Sequence, residues 1–230
     1  MEDRRGEGWL WFLIVILCAI AAGKVVVQDA PRIRFTVLHN DVQQLYLGSR
    51  VGKRGQNPYT TDALFSEMKR TNPDGVADLE GPCTEDCELY YPPSALPLMA
   101  IPALMPWKSF HFLYLASCVL VYLFVLYRLS LLIERPVHRW LFISLGLAFG
   151  PYHAGLNLNN ISVLLIPLLL FSTLCFNSAW AFALIGVIAC LKPPLALVLL
   201  FYFLLRKDKR VLTVSLPIIL AVSGVSLLRL

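Results

Sequence analysis

Acidic residues are scarce in most of this sequence. Of fifteen Asp and Glu in 230 residues, only Glu134 and Asp208 lie beyond residue 93. Charged residues of both signs reach only 15%, against about 25% in an ordinary globular domain. A soluble core of this length would carry polar faces at helical period, and the long C-terminal runs lack them. Internal repeats and low-complexity tracts are also missing. The excess of basic residues forms no stripe that would read nucleic acid, so no nucleic-acid partner is expected.

Hydrophobic residues fill the space that charge leaves. They make up 57% of the chain, and the mean hydropathy is +0.65. A bilayer core about 30 Å thick takes about 20 apolar residues per helix, so the apolar runs require several spans. The expected fold is all-α, a polytopic transmembrane helical bundle. Its parts are an N-terminal transmembrane helix over 1–27, an outer-face loop with short interfacial helices over 28–107, and a multi-span domain over 108–230. The last run ends inside what should be a span, which reads as a chain incomplete at its C-terminus.

Residues 9–27 follow a charged start and have two readings. They form either a retained helix or a signal peptide with Ala19, Ala21 and Ala22 near its cleavage site. Residues 28–93 are polar, with ten acidic and seven basic residues. Within them "TTDALFSEMKR" reads as a helix capped by Thr61 or Asp62, with a narrow apolar face. Residues 94–107 are apolar but carry Pro97, Pro102 and Pro106, which suits a dipping segment. Residues 110–133 form a clear span. Apolar stretches follow at 141–152, 161–176, 179–191 and 195–205.

Four of the six cysteines, Cys18, Cys118, Cys175 and Cys190, lie in apolar runs and read as small hydrophobes. Cys83 and Cys87 stand apart in "GPCTEDCELYYPP". A disulfide in an oxidising compartment, two free thiols, or half of a metal site all fit that spacing. A metal would need two further ligands, and only His39 is near in sequence.

The basic clusters at 128–139 and 206–210 point to the cytoplasm. With the N-terminus inside, the first helix delivers 28–93 to the outer face. For 206–210 to be cytoplasmic, the run 179–205 must cross twice, with a turn at Lys192, Pro193 and Pro194. The alternative is one long kinked helix that leaves 206–210 outside. The turn puts Lys192 on the same face as "HAGLNLNN" and the polar segment. An ionisable residue inside an apolar run is a functional-site hypothesis by default. The plainer reading is a lysine snorkelling to headgroups.

Three stretches, in order, resemble a known family. They are "NDVQQLYLGSRVGKRGQNPYT", "LYYPPSALPLMAIPALMP", and "GLNLNNISVLLIPLLLFS" followed by "GVIACLKPPLALVLLFYFLLRKDKR". Together they look like the membrane glycosyltransferases of family 87, which are of the GT-C type and use polyprenyl-phosphate sugars, typically mannose. The resemblance runs from about Asn40 to Arg210. It departs from the family at Val42, Leu45 and Leu156. It implies a polyprenyl-phosphate sugar donor, a glycan, glycolipid or lipid acceptor, and a GT-C-like bundle. The implied location is a bacterial plasma membrane, with the site on the periplasmic or extracellular face.

Transfer from a lipid phosphate needs a base for the acceptor hydroxyl and a cation for the departing phosphate. Asp41 is the candidate base, raised above the other acids by the resemblance. Its competing reading is a helix N-cap. Asp29 and Asp62 are the fallback choices. Lys192 is the candidate donor-phosphate ligand, a point charge that needs no fork geometry. Arg50, Lys53 and Arg54 rank second for phosphate, and a solvated face explains them better. Tyr46 and Tyr59 carry the resemblance as substrate-binding candidates. Asn157, Asn159 and Asn160 either meet sugar hydroxyls or cap the following helix. Tyr91, beside Tyr90, either stacks on a sugar or anchors at the interface. His153 reads as structural. No metal-ligand spacing and no nucleotide-binding glycine pattern is present, so neither a metal, another cofactor nor a nucleotide-sugar donor is expected. A transporter or lipid flippase, or a non-catalytic fragment, is the alternative class. A transporter would show charges in several spans and an internal repeat.

Overall fold

The computed structural model describes residues 3–29, 41–71, 89–175 and 178–227. Every regular element among them is a helix. In chain order, α1 is Asp3–Gly23, α2 Asp41–Lys53, α3 Thr61–Thr71, α4 Ala95–Met99, α5 Trp107–Ser130 and α6 Pro136–Leu147. Then come α7 Gly150–Asn157, α8 Ser162–Leu174, α9 Ala179–Leu191, α10 Pro193–Leu205 and α11 Leu216–Leu227. Wider π-type turns extend α1 through Lys24–Asp29 and lead into α11 through Val211–Ser215.

Among the described residues two helices are long and apolar enough to cross a bilayer, over Gly8–Val26 and Trp107–Ser130. Shorter apolar helices occupy Ser162–Leu174, Ala179–Leu191, Pro193–Leu205 and Val211–Ser226. Their outward faces carry large apolar side chains, among them Phe112, Leu120, Val198, Phe201 and Leu220. That much exposed apolar surface is far beyond what a soluble monomer shows.

The stretch 141–152 is not one helix. The chain leaves the helical path between α6 and α7 at Ala148 and Phe149. Pro151 then sits in the first turn of α7, where its missing N–H costs nothing. Lys24 Nζ donates 2.8 Å to the Ala148 carbonyl, satisfying one acceptor freed by the break.

Ring and side-chain contacts give the helix directions. Cys18 Sγ meets Ser144 Oγ at 3.5 Å while Lys24 reaches Ala148, so α1 runs parallel to α6. Phe171, late in α8, packs on Phe124 in the second half of α5 and on Trp180 at the start of α9. Phe203, late in α10, packs on Phe182, early in α9. So α9 and α10 form an antiparallel hairpin with Lys192 at its tip. At the hairpin's open end, Arg210 lies over the Phe182 ring.

Helix α9 is the most enclosed of the apolar helices, with Ala181, Phe182, Ile185, Ile188 and Cys190 all buried. It touches the chain before α11 at Gly186, where a Cβ would lie 3.0 Å from the Ser215 carbonyl oxygen. Ser215 Oγ closes the contact with a 2.7 Å bond to the Phe182 carbonyl. Helices α2 and α3, with the short apolar α4 and the 3-10 turn Pro102–Leu104, form a cap with its own buried residues, including Val42, Leu45, Tyr46, Val51, Leu64 and Met68.

Candidate active site

The site is built where three chain turns meet at one end of the bundle. The first is the tip of the α9–α10 hairpin. Lys192 has φ −147° and ψ 81°, an extended residue between two helices. The extended geometry follows from Pro193, because the residue before a proline is pushed out of the helical region. Pro193 and Pro194 then occupy the first turn of α10, where their missing N–H groups have no intrahelical partner to lose.

The second is the turn between α7 and α8. Asn159 has a left-handed φ of 47°. Its N–H bonds to the Leu156 carbonyl, and the Asn160 N–H bonds to the Gly155 carbonyl at 2.9 Å. This is a Schellman ending with asparagine in the position glycine usually takes. Asn160 Oδ1 then accepts the Ser162 N–H at 2.9 Å and starts α8.

The third is the start of α2. Asp41 is its first residue, and the adjacent Val42 N–H points to the Asn159 carbonyl at 3.4 Å.

These turns bring Asp41 and Lys192 together. Lys192 Nζ lies 3.5 Å from Asp41 Oδ2 and donates a 3.2 Å hydrogen bond to Asn160 Oδ1. The Lys192 and Asp41 side chains are 29% and 35% exposed, open enough to receive a ligand and enclosed enough to feel each other. Tyr114 Oη donates 3.0 Å to the Asn160 carbonyl.

Tyr91 completes the cluster. Its side chain is buried against Asp41, and its hydroxyl is pushed well above the ordinary phenol range by burial, with the Asp41 carboxylate adding to the shift. Tyr59 Oη donates 3.1 Å to the Tyr91 carbonyl. Ser94 Oγ donates 2.8 Å to the Cys190 carbonyl, tying this segment to the hairpin tip. The "NPY" stretch supplies the Tyr59 support, since Asn57 Oδ1 accepts the Tyr59 N–H and Pro58 is buried.

Other sequence candidates fall elsewhere. Tyr46 is buried and donates 2.7 Å to the Met105 carbonyl, with its ring stacked on Phe110, so it supports the cap. Arg50 and Arg54 are spent on the buried Glu67, at 2.7 and 2.6 Å. Glu67, which sequence reasoning missed, is the anion that explains them. Lys53 and Asp62 are exposed. Asn157 Oδ1 is buried and has no hydrogen-bond partner among the described residues. His153 is buried with Nε2 2.7 Å from the Leu147 carbonyl. Tyr90 points outward. Cys83 and Cys87 lie outside the described residues.

Sequence reasoning also missed His111. It is fully buried on α5, and its Nε2 lies 2.7 Å from Asn159 Oδ1. A lone histidine in an apolar run carried no signal until the fold supplied its partner.

Helices alone among the described residues, an apolar exterior and a paired carboxylate and ammonium at one mouth are features of an integral-membrane protein with a polar pocket. Residues 89–230 match the sequence model of glycosyltransferase family 87. The chain belongs to that family. It is therefore a membrane glycosyltransferase, acting on a sugar donor and an acceptor. The matched region holds Tyr91, Asn157, Asn160 and Lys192, while Asp41, Tyr46 and Tyr59 precede it. No curated protein and no solved structure matches the chain.

Proposed function

We propose that the chain moves a hexose, mannose by family resemblance, from a polyprenyl-phosphate sugar to an acceptor hydroxyl. The placement of Asp41 beside Lys192, from opposite ends of the sequence, carries this reading. One group can take a proton, and the other can hold an anion.

Asp41 accepts the proton from the acceptor O–H as that oxygen attacks the anomeric carbon. The bond from the anomeric carbon to the phosphate oxygen breaks, and its electron pair leaves on the phosphate. Lys192 stabilises that charge, so no general acid is needed. The products are the glycoside, the free polyprenyl phosphate and a protonated Asp41. An ammonium has three N–H donors. One faces Asp41 and one bonds Asn160, which leaves the third for an arriving phosphate while Asp41 stays within reach of the acceptor.

Two observations support a lipid-linked donor. An apolar cavity of about 240 Å³, lined by Tyr122, Phe149, Tyr152, Ile166 and Pro167, also includes Asn160 in its wall. A prenyl chain there would bring its phosphate to Lys192. The hairpin helices have 13 residues each and rise about 20 Å, less than the bilayer core of about 30 Å. A hairpin rooted at the cytoplasmic surface therefore ends short of the outer headgroups, where a donor held in the bilayer by its own lipid chain can reach a recessed Lys192.

The orientation is read from charge. The basic residues 206–210 gather at the hairpin's open end, as Arg210 over Phe182 attests, while Lys192 is at its tip. Positive charge inside puts the site outside. We read the chain as multi-pass, in a bacterial plasma membrane, with its site on the periplasmic or extracellular face.

The test is sugar transfer in membranes carrying wild type or Asp41→Asn, with polyprenyl-phosphate mannose and a nucleotide mannose supplied separately and a lipid extract as acceptor. Transfer from the lipid donor alone, reduced about a hundredfold or more in the variant, is expected. Equal transfer by the variant removes Asp41 as base. Transfer from the nucleotide donor alone overturns the donor class.

A further inference from the structure

The Asp41–Lys192 pair lies against a turn that neither residue belongs to. Asn159 sits in that turn with a left-handed backbone, and its carbonyl faces the Val42 N–H next to Asp41. Asn160, its neighbour, holds Lys192 through Oδ1. One two-residue turn thus contacts Lys192 directly and the start of α2 through Val42, the neighbour of Asp41. Its own placement comes from α5. Tyr114 grips the Asn160 carbonyl, and one turn earlier His111 Nε2 bonds Asn159 Oδ1 at 2.7 Å.

A fully buried imidazole in an apolar helix is costly unless its polar atoms are used. Here the ring is also fixed by packing. It stacks on Trp107 with centroids 5.1 Å apart and planes 9° from parallel. A locked ring with a short bond to an asparagine side chain is a rigid support, because its rotamer and its hydrogen bond agree. The opposing possibility is that His111 merely fills the core.

We propose that His111 is a positioning residue for sugar transfer. Through Asn159 it holds the α7–α8 turn that sets Asp41 against Lys192. The inference rests on Asp41 and Lys192 being the reacting pair.

The test separates the hydrogen bond from the packing. His111→Phe keeps a ring on Trp107 and deletes the bond to Asn159. His111→Gln loses the ring and keeps an amide able to reach the Nε2 position. Asn159→Gly deletes the other partner and tolerates the left-handed backbone. Steady-state transfer from polyprenyl-phosphate mannose is measured on purified, monodisperse protein.

His111→Phe should lower kcat about tenfold or more, since small misplacements of reacting groups carry that cost. Asn159→Gly should lower it similarly, and the double variant should be no worse than either single one. His111→Gln should recover most of the rate. If His111→Phe does not fold, Asn159→Gly against His111→Gln carries the same contrast. A wild-type kcat in His111→Phe or Asn159→Gly overturns the proposal. So does an equal loss in Phe and Gln variants, or additive losses in the double variant. Asp41→Asn is run alongside. If it retains transfer, the underlying reading fails; if it is inactive while Asn159→Gly is not, only the positioning role fails.

Discussion

Asn160 Oδ1 stands 3.2 Å from Lys192 Nζ, and the same oxygen accepts the Ser162 N–H at 2.9 Å. One side-chain atom therefore starts a helix and anchors the candidate phosphate ligand. Asn160→Ala should lose both, destabilising the protein by about 1 kcal/mol and weakening donor binding. Asn160→Asp keeps the cap but adds a negative charge beside Lys192. It should hold thermal stability while raising donor KM about tenfold. Melting curves and donor titrations, taken together, distinguish the two effects.

Lys192 can be tested by charge and by shape. Lys192→Met removes the cation and should reduce kcat/KM for a lipid-phosphate donor about a hundredfold or more. Lys192→Arg retains charge but brings a planar fork into a space set by Asp41 and Asn160, so recovery should be partial. An unaffected kcat/KM in the Met variant would remove Lys192 from donor binding.

Glu67 predicts a stability effect remote from chemistry. Its carboxylate is buried and receives Arg50 and Arg54, with Arg70 3.8 Å away. Glu67→Gln leaves these cations unmatched. The arginines are partly exposed, so the loss should be about 2–3 kcal/mol, below that of a fully buried pair. Denaturation in detergent measures it, and donor KM should stay near wild type in the surviving folded fraction.

Alkaline pH should unfold the cap through its tyrosines. Burial raises the hydroxyls of Tyr91, Tyr46 and Tyr59 above the ordinary phenol range. An unfolded tyrosine titrates near pH 10. Above that pH the unfolded chain gives up protons that the folded chain keeps, so stability is full below about pH 10 and falls as pH rises. Tyr91→Phe removes one of these groups. Its melting temperature should fall less steeply with pH than that of wild type, and an identical slope would contradict the burial argument.

Much of this was legible in the residues. The apolar runs gave the helices at Trp107–Ser130, Ser162–Leu174, Ala179–Leu191 and Pro193–Leu205 to within a few residues, because helical period and proline are local signals. Asp41 is the first residue of α2, while the cap read at Thr61 or Asp62 falls one residue earlier, on Thr60, because α3 already includes both. The cap reading of the asparagines was also right in part, since Asn160 does begin α8. The same oxygen also meets Lys192, a contact the sequence did not suggest, because an amide oxygen has two lone pairs. The break between α6 and α7 was harder to see, since the apolar residues continue across it.

Sequence by itself determined the class. Helix-forming apolar runs, few acids and a lysine before two prolines define a membrane helix protein with a polar turn, and each signal is carried by neighbouring residues. Only tertiary structure decided which partners those turns would meet. His111 had no visible purpose until Asn159 came within 2.7 Å, and Arg50 and Arg54 looked available until Glu67 claimed them. Asp41 and Lys192 likewise became a pair only when the α9–α10 hairpin folded back and the Asn159–Asn160 turn bridged its tip to α2. Coulomb attraction and hydrogen bonds act through space, over a few ångströms, and the order of residues along the chain does not reveal those distances.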